Sequence, residues 1–324
     1  MDPPHDWRTG TGGAMVSVGT HSLSVSVSGI PQAPTDPLVV CLPGAGDSAV
    51  SYRPLERLVS PFARVLLYER SGIGRSEDRP GKTHHVAVED AEELHRLLVA
   101  MSIPGPLLLV AHSYGAIIAR EYCHLYPADV AGMVLADAAT EKQHLYFSVP
   151  DANINAVLGN LKFAQVTGLR DESMLTREEW RERAAAVAQG ALTSVFQRET
   201  SGFIEGCEML AEKKQYENQA LENKPLSVII CNGARDYRRV YDAGIAVGNG
   251  TEEQRNAFRQ LLGRWEADST ALQMEQLQLS SNNRLVRVPD CGHNVHMTRP
   301  DVVCEEVKWV RDQIIRSAQA AIKL

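Results

Sequence analysis

Leu107-Leu108-Leu109-Val110-Ala111-His112-Ser113-Tyr114-Gly115-Ala116 is the stretch that decides how this chain is read. Its apolar first half is a buried strand that ends in a serine held between small residues, and a helix begins at once. A turn that sharp leaves almost no room for side chains two positions before and two after the serine, and here those positions are Ala111 and Gly115. The geometry lifts the Ser113 hydroxyl above the sheet. It also turns backbone N–H groups at the start of the next helix toward whatever the hydroxyl attacks. This is the pattern of a nucleophile elbow, G-x-S-x-G, with Ala111 adding one methyl group where the first glycine usually stands. Taken alone, the stretch is also compatible with a buried serine at an ordinary βα turn. The rest of the chain decides against that.

Upstream, Leu38-Val39-Val40-Cys41-Leu42-Pro43-Gly44-Ala45-Gly46 is a buried strand running into a glycine-rich loop. Arg64-Val65-Leu66-Leu67-Tyr68-Glu69 is another strand, followed by Arg70-Ser71-Gly72-Ile73-Gly74-Arg75-Ser76. Downstream, Val288-Pro289-Asp290-Cys291-Gly292-His293 places a histidine just past a short strand, and a helix opens near Pro300. In this order the chain resembles the α/β-hydrolase family. The matching pieces are an oxyanion loop after the third strand, a D-x-x-G-x-G-x-S-like turn after the fourth, the elbow, and a late Gly-His. The resemblance spans nearly the whole chain, from about residue 38 to residue 310. Two departures stand out: Pro43-Gly44 replaces the usual His-Gly, and Glu69 replaces the usual aspartate.

Composition is consistent with this. The 324 residues suffice for one sizeable core plus an insertion, and no periodic repeat is present. A net charge of −7 with no basic patch gives no invitation to nucleic acid. The first ten residues lack the charged start and apolar run of a signal peptide, and no apolar run reaches the ~18 residues that span a bilayer. Six cysteines at irregular positions show no zinc spacing, and Cys41 and Cys231 fall within buried strands. The expectation is a reduced, cytoplasmic protein, monomeric or homodimeric, without membrane or nucleic-acid partners.

The expected fold is α/β: a mostly parallel, doubly wound sheet with a helical insertion. Edge strands are predicted at Met15 to Gly19 and Leu23 to Val27, and buried strands at 38–42, 64–68, 107–111, 130–136, 226–231 and 284–288. Helices are predicted near 48–60, 84–102, 114–126 and 300–320. Residues 1–139 and 223–324 would then form the core. Residues 140–222 would form a helical insertion with a capping-box start at Thr176 and Glu179, and 237–283 a second one, helical from Glu252 to Gln278. The resemblance implies that 140–222 caps the active site.

A serine hydroxyl needs an adjacent base at neutral pH, and His293 is the candidate to take and return the Ser113 proton. His112 and His296 are its rivals. His112 lies within the elbow with its side chain directed away from that of the nucleophile, and His296 lacks a preceding glycine and lines the pocket or packs under the loop. Both count with Gly44 as substrate-binding candidates. The oxyanion hole requires two N–H donors, each worth ~3 kcal/mol of barrier. The resemblance assigns them to Tyr114 and to the glycine loop at Ala45. The acid is ambiguous. Asp236 follows the seventh strand, where most of the family carries it; Asp137 follows the sixth, where a minority does. Asp137 is favoured because Arg235, Arg238 and Arg239 offer Asp236 salt bridges of its own, and both remain candidates. The Gly72-Ile73-Gly74 turn lacks the spacing of a nucleotide site.

The resulting expectation is a serine hydrolase, free of metal and organic cofactors, that cleaves a carboxylic ester or lactone of a small, largely apolar metabolite through an acyl-enzyme. Serine at the elbow argues against the dehalogenase and epoxide hydrolase branches, which use aspartate there. The alternatives are a carbon–carbon hydrolase or retro-Claisen enzyme on the same residues, or a catalytically silent small-molecule receptor.

Overall fold

The computed structural model describes residues 6–81, 84–103, 105–192 and 194–322. Eight strands form one sheet: β1 (Gly12–Ser17), β2 (Ser22–Gly29), β3 (Leu38–Leu42), β4 (Arg64–Tyr68), β5 (Leu107–His112), β6 (Val130–Ala136), β7 (Leu226–Cys231) and β8 (Asn283–Val288), in the order β1-β2-β4-β3-β5-β6-β7-β8. β1 and β2 are antiparallel to their neighbours, and the remaining six run parallel. Sequence explains the division. Strands β3, β4, β5 and β7 are buried along their whole length, as near-continuous apolar runs covered on both faces must be. β2 instead buries only every second residue, Leu23, Val25 and Val27.

Between β3 and β4 a single 3-10 turn (Ala49–Tyr52) leads into α1 (Arg53–Val59). The expected helix from residue 48 is split there because Pro54 has no N–H to continue the ladder. Glu69 occupies the place of the usual aspartate, and its carboxylate accepts from Ser48 Oγ at 2.5 Å and Ala49 N at 3.0 Å, fastening that turn. Burial pushes its carboxyl up to about 7. α2 (Ala87–Ala100) precedes β5, and α3 (Gly115–Leu125) follows it. The sheet separates two cores. On one side it packs against α2 and α3; on the other it packs against α1 and the C-terminal helix.

The first insertion, between β6 and β7, carries α4 (Ala152–Leu158), α5 (Phe163–Val166), α6 (Leu169–Glu172), α7 (Arg177–Leu192), α8 (Val195–Ser201) and α9 (Phe203–Glu212). The Thr176–Glu179 capping box opens α7, with hydrogen bonds of 2.8 and 3.2 Å. The second insertion carries α10 (Gly233–Ala246) and α11 (Glu252–Glu275). It starts four residues earlier than expected, because the Asn232 side chain accepts from Arg235 N at 3.1 Å and caps a helix there. The two insertions share a small core of their own, in which Val157 of α4 meets Val240, Tyr241, Phe258 and Leu262. α12 (Val295–Thr298) and α13 (Pro300–Ile322) complete the chain, and no helix among the described residues is long and apolar enough to cross a membrane.

The end of β3 presses closely on the chain where β5 turns into α3. A Cβ on Gly115 would stand 2.2 Å from Leu42 O. Gly115→Ala should therefore cost about 1–3 kcal/mol, since overpacking of this kind forces backbone shifts. Thermal unfolding would register it as a Tm lowered by several degrees; an unchanged Tm would show that β3 and the elbow are not pressed together.

Candidate active site

Ser113 sits at the carboxyl edge of the sheet with φ +51°, a left-handed backbone that non-glycine residues adopt only when the surroundings enforce it. The enforcement is visible: Ser113 O accepts from Ala116 N and from Ala139 N, both at 3.0 Å. A Cβ on Gly44 would lie 3.2 Å from both Ser113 Cβ and His112 Nδ1, closer than ordinary van der Waals contact, so glycine lets the β3 loop lie against the elbow without displacing either. Beside the serine, the backbone N–H groups of Ala45 and Tyr114 donate no hydrogen bond among the described residues.

His293 leaves the turn after β8. Its Nδ1 is 2.6 Å from Asp137 Oδ2. Asp137 is itself fixed by β7, its N–H donating to Ile229 O at 2.9 Å and its Oδ1 accepting from Cys231 N at 3.1 Å. Asp236, on the first turn of α10, does not bond the ring. Its Oδ2 accepts the backbone N–H of His293 at 3.0 Å. Of the arginines expected to hold it, Arg235 does, in an ion pair at 3.6 Å. Arg235 and Arg239 also grip Glu172 at 2.5 and 2.9 Å, because Glu172, at the end of α6, offers a carboxylate that both can reach. The Gly-His pair has a steric cause, since a Cβ on Gly292 would fall 2.1 Å from Asp236 Oδ2.

Burial alone would lower the His293 pKa. The hydrogen bond and charge of Asp137, helped by Asp236, outweigh it and hold the imidazole above its ordinary value. Ser113 and His293 face one cavity without a hydrogen bond between them, a looseness common before substrate binds.

The other two histidines stack beneath. His112 packs between His293 and His296, with ring centroids 4.4 and 4.3 Å apart, and its Nε2 lies 2.8 Å from His293 O. Burial and its two neighbours press its pKa well down, so it stays neutral. With Nε2–H assigned as the donor to that carbonyl, Nδ1 is left as an acceptor without a partner. His112 and Gly44 both reach the cavity wall. His296 does not, so its substrate-binding assignment is corrected and the packed position is the one it takes. It is fully buried, stacked on Tyr52 at 4.5 Å and 3.7 Å from Asp47, because α12 turns it toward the core.

The cavity measures about 510 Å³. Phe196 and Phe203 of the first insertion line one part of it. A second wall went unanticipated in the sequence: Leu261, Trp265, Ser269 and Leu272 of α11, with Tyr237 stacked on Trp265 at 4.4 Å. Their spacing of four, four and three residues was the available signal.

These features can be set beside known proteins. The Alpha/beta hydrolase family profile matches residues 39–306, and the chain belongs to that family. It is 30% identical over 304 residues to a protein of Hormonema carpetanum named "Probable transporter efuK", covering 92% of this chain but 42% of that one, so the chain spans less than half of that relative. It is 28% identical over 298 residues to an AB hydrolase superfamily protein of Gibberella zeae, covering 89% and 90% of the two chains. Among solved structures, a candidate lipase (lip1) of Acinetobacter baumannii superposes with a TM-score of 0.65 at 15% identity, covering 96% of this chain and 94% of its own.

The two carboxylates can be separated by experiment. Asp137→Asn should lower kcat toward a chromogenic ester by roughly 10⁴-fold at nearly unchanged KM, as loss of a histidine-orienting carboxylate does. A base must be neutral to act. Because His293 is held above its ordinary value, the acid limb of kcat/KM should lie above pH ~6.5 in the wild type and move down in Asp137→Asn. The same raised pKa makes the ion pair stabilising below the unfolded pKa, a contribution lost as pH rises through the folded one. Asp236→Asn should cost far less in kcat; an equal or larger loss would reverse the assignment.

Proposed function

We propose that this chain is a serine hydrolase acting on a carboxylic ester or lactone of a small, largely apolar metabolite. The observation that carries this is the convergence of Ser113, strained at its elbow, two N–H groups without acceptors, and His293 held 2.6 Å from Asp137, all at one cavity. In the first step His293 Nε2 takes the hydroxyl proton while Ser113 Oγ bonds the acyl carbon. The carbonyl oxygen, now negative, is received by the Ala45 and Tyr114 N–H groups. The imidazolium, stabilised by Asp137, returns the proton to the departing alkoxide, giving the alcohol and an acyl-enzyme. Water then repeats the sequence: its proton goes to His293, its oxygen to the acyl carbon, and the proton finally to Ser113 Oγ as the acid leaves. Residues 140–222 act as the cap over this chemistry.

Three features support the substrate class. The cavity falls within the ~300–1,000 Å³ of small-molecule sites. Its walls present Phe147, Trp265, Leu261 and Leu272. Its charges are already engaged: Asp47 with Arg183 at 2.7 Å, Glu199 with Arg70 at 2.8 Å, and Asp151 capping α4 through Asn153 N and Ile154 N. Among the described lining residues no arginine or lysine is left unengaged to attract a phosphate or carboxylate, which favours an uncharged acyl compound.

Wild-type protein should be labelled by a fluorophosphonate, and Ser113→Ala should lose both labelling and hydrolysis with its fold intact. Retention of more than a few per cent of activity would remove Ser113 from the role. The α11 wall predicts a second result. Trp265→Ala should raise KM about 10-fold for medium-chain esters, as expected when a large aromatic surface is lost, and leave acetate esters nearly unaffected. Equal effects across chain lengths would mean that α11 does not contact the acyl group.

A further inference from the structure

The loop after β3 is gripped by two charged residues that the elbow and the imidazole do not use. Arg70, just past β4, donates from Nη1 to Pro43 O and from Nη2 to Gly44 O, each at 2.7 Å. Its Nε and Nη2 also donate to Glu199 of α8, at 2.8 and 3.1 Å, and Glu199 Oε2 accepts from Gly46 N at 2.7 Å. The two side chains are 2% and 0% exposed. A buried ion pair is by itself weak evidence of purpose, since desolvation offsets much of its attraction. What sets this pair apart is where its remaining hydrogen bonds go: into three consecutive peptide groups of one loop.

The middle peptide is the one that matters. In a planar trans peptide the C=O and N–H point to opposite sides. Holding Gly44 O on the guanidinium therefore aims the Ala45 N–H the other way, and that N–H has no acceptor within the described protein. The peptide on its far side is pinned by Glu199 through Gly46 N, at a glycine with φ +62°. The guanidinium also lies 5.7 Å from the centre of the Tyr114 ring, so it borders the residue supplying the second donor. Pro43, standing where a histidine is usual, has no side-chain donor with which to brace the loop.

We infer that Arg70 and Glu199 are positioning residues that fix the Gly44–Ala45 peptide to receive the oxyanion, so that α8 of the first insertion takes part in the chemistry as well as in shaping the cavity. This rests on the serine hydrolase reading above. Neither side chain touches the reacting atoms; both act through the backbone of the loop.

The test compares wild type with Glu199→Gln, Arg70→Lys and a control, Arg57→Ala. The control breaks a different link to the first insertion, from Arg57 to Glu179 and Met174 O. The readouts are kcat and KM on a chromogenic ester, inhibition by an alkyl trifluoromethyl ketone, and Tm. The ketone adds to the serine and sends an alkoxide into the oxyanion hole. Full removal of a donor costs about 10²–10³-fold in kcat, so misaiming one should cost about 10–100-fold. Glu199→Gln and Arg70→Lys should show that loss in kcat and a matching loss in ketone affinity, with KM within about twofold. Arg57→Ala should match wild type.

Should Arg70→Lys fail to fold, Glu199→Gln, which keeps size and an acceptor oxygen, decides the matter. A folded Glu199→Gln with unchanged kcat and ketone affinity, or with a change in KM alone, overturns the inference. So does an equal loss in Arg57→Ala. A wild type that resists the fluorophosphonate overturns the hydrolase reading and this role together, whereas a labelled wild type with unaffected variants overturns this role alone.

Discussion

The whole site depends on one steric constraint: the backbone after β5 must pass within van der Waals distance of the end of β3. Glycine at 44 and at 115 makes that possible, since a methyl group at either position would meet Ser113 Cβ or Leu42 O. Once the two strand ends are this close, much else follows. The serine is forced into a left-handed turn, the first amides of α3 face the same space as the β3 loop, and that space opens at the carboxyl edge of a parallel sheet. Ligands of open α/β sheets bind at this edge because loops from successive strands converge there. Arg70, leaving the next strand, is near enough to hold the carbonyls on the outer side.

Around His293 two carboxylates divide the work by distance. Asp137 meets the ring, and Asp236 meets the peptide N–H of the same residue. One sets the tautomer and charge of the imidazole; the other sets where the imidazole stands. Both lie at the ends of adjacent strands, which is why either could have been the ring partner. Beneath them burial lowers the pKa values of His112 and His296, so neither sets a second imidazolium against His293.

Much of this was legible in the sequence. Long apolar runs ending in Gly-rich turns foretold the parallel sheet, and Ala111-x-Ser113-x-Gly115 with Gly292-His293 pointed to residues that the fold brings to one cavity as a candidate site. The limits have physical causes. Strand patterns locate Asp137 and Asp236 at one edge, but they carry no information on which oxygen meets a ring nitrogen and which an amide. The Arg70–Glu199 ion pair joins positions 129 residues apart, and it holds the β3 loop through backbone carbonyls and one amide, which leave no side-chain signature. The α11 wall was obscured because its apolar positions serve two masters: Phe258 and Leu262 fill a private core with α4 and α10, while Leu261, Trp265 and Leu272 face the cavity. Their overlap blurs the stripe that a helix with a single apolar face would show.

That shared core of α4, α10 and α11 has a consequence for how the protein fails. The elements that build the nucleophile lie in the central sheet, where opening approaches global unfolding. The cavity wall instead rests on a small satellite cluster joining segments about a hundred residues apart in the chain. Heat or denaturant should therefore release the wall before the sheet melts. Over that interval Ser113 would keep its place at the edge of the sheet while the cavity had lost its α11 wall, and protease sensitivity would appear first in α4, α10 and α11.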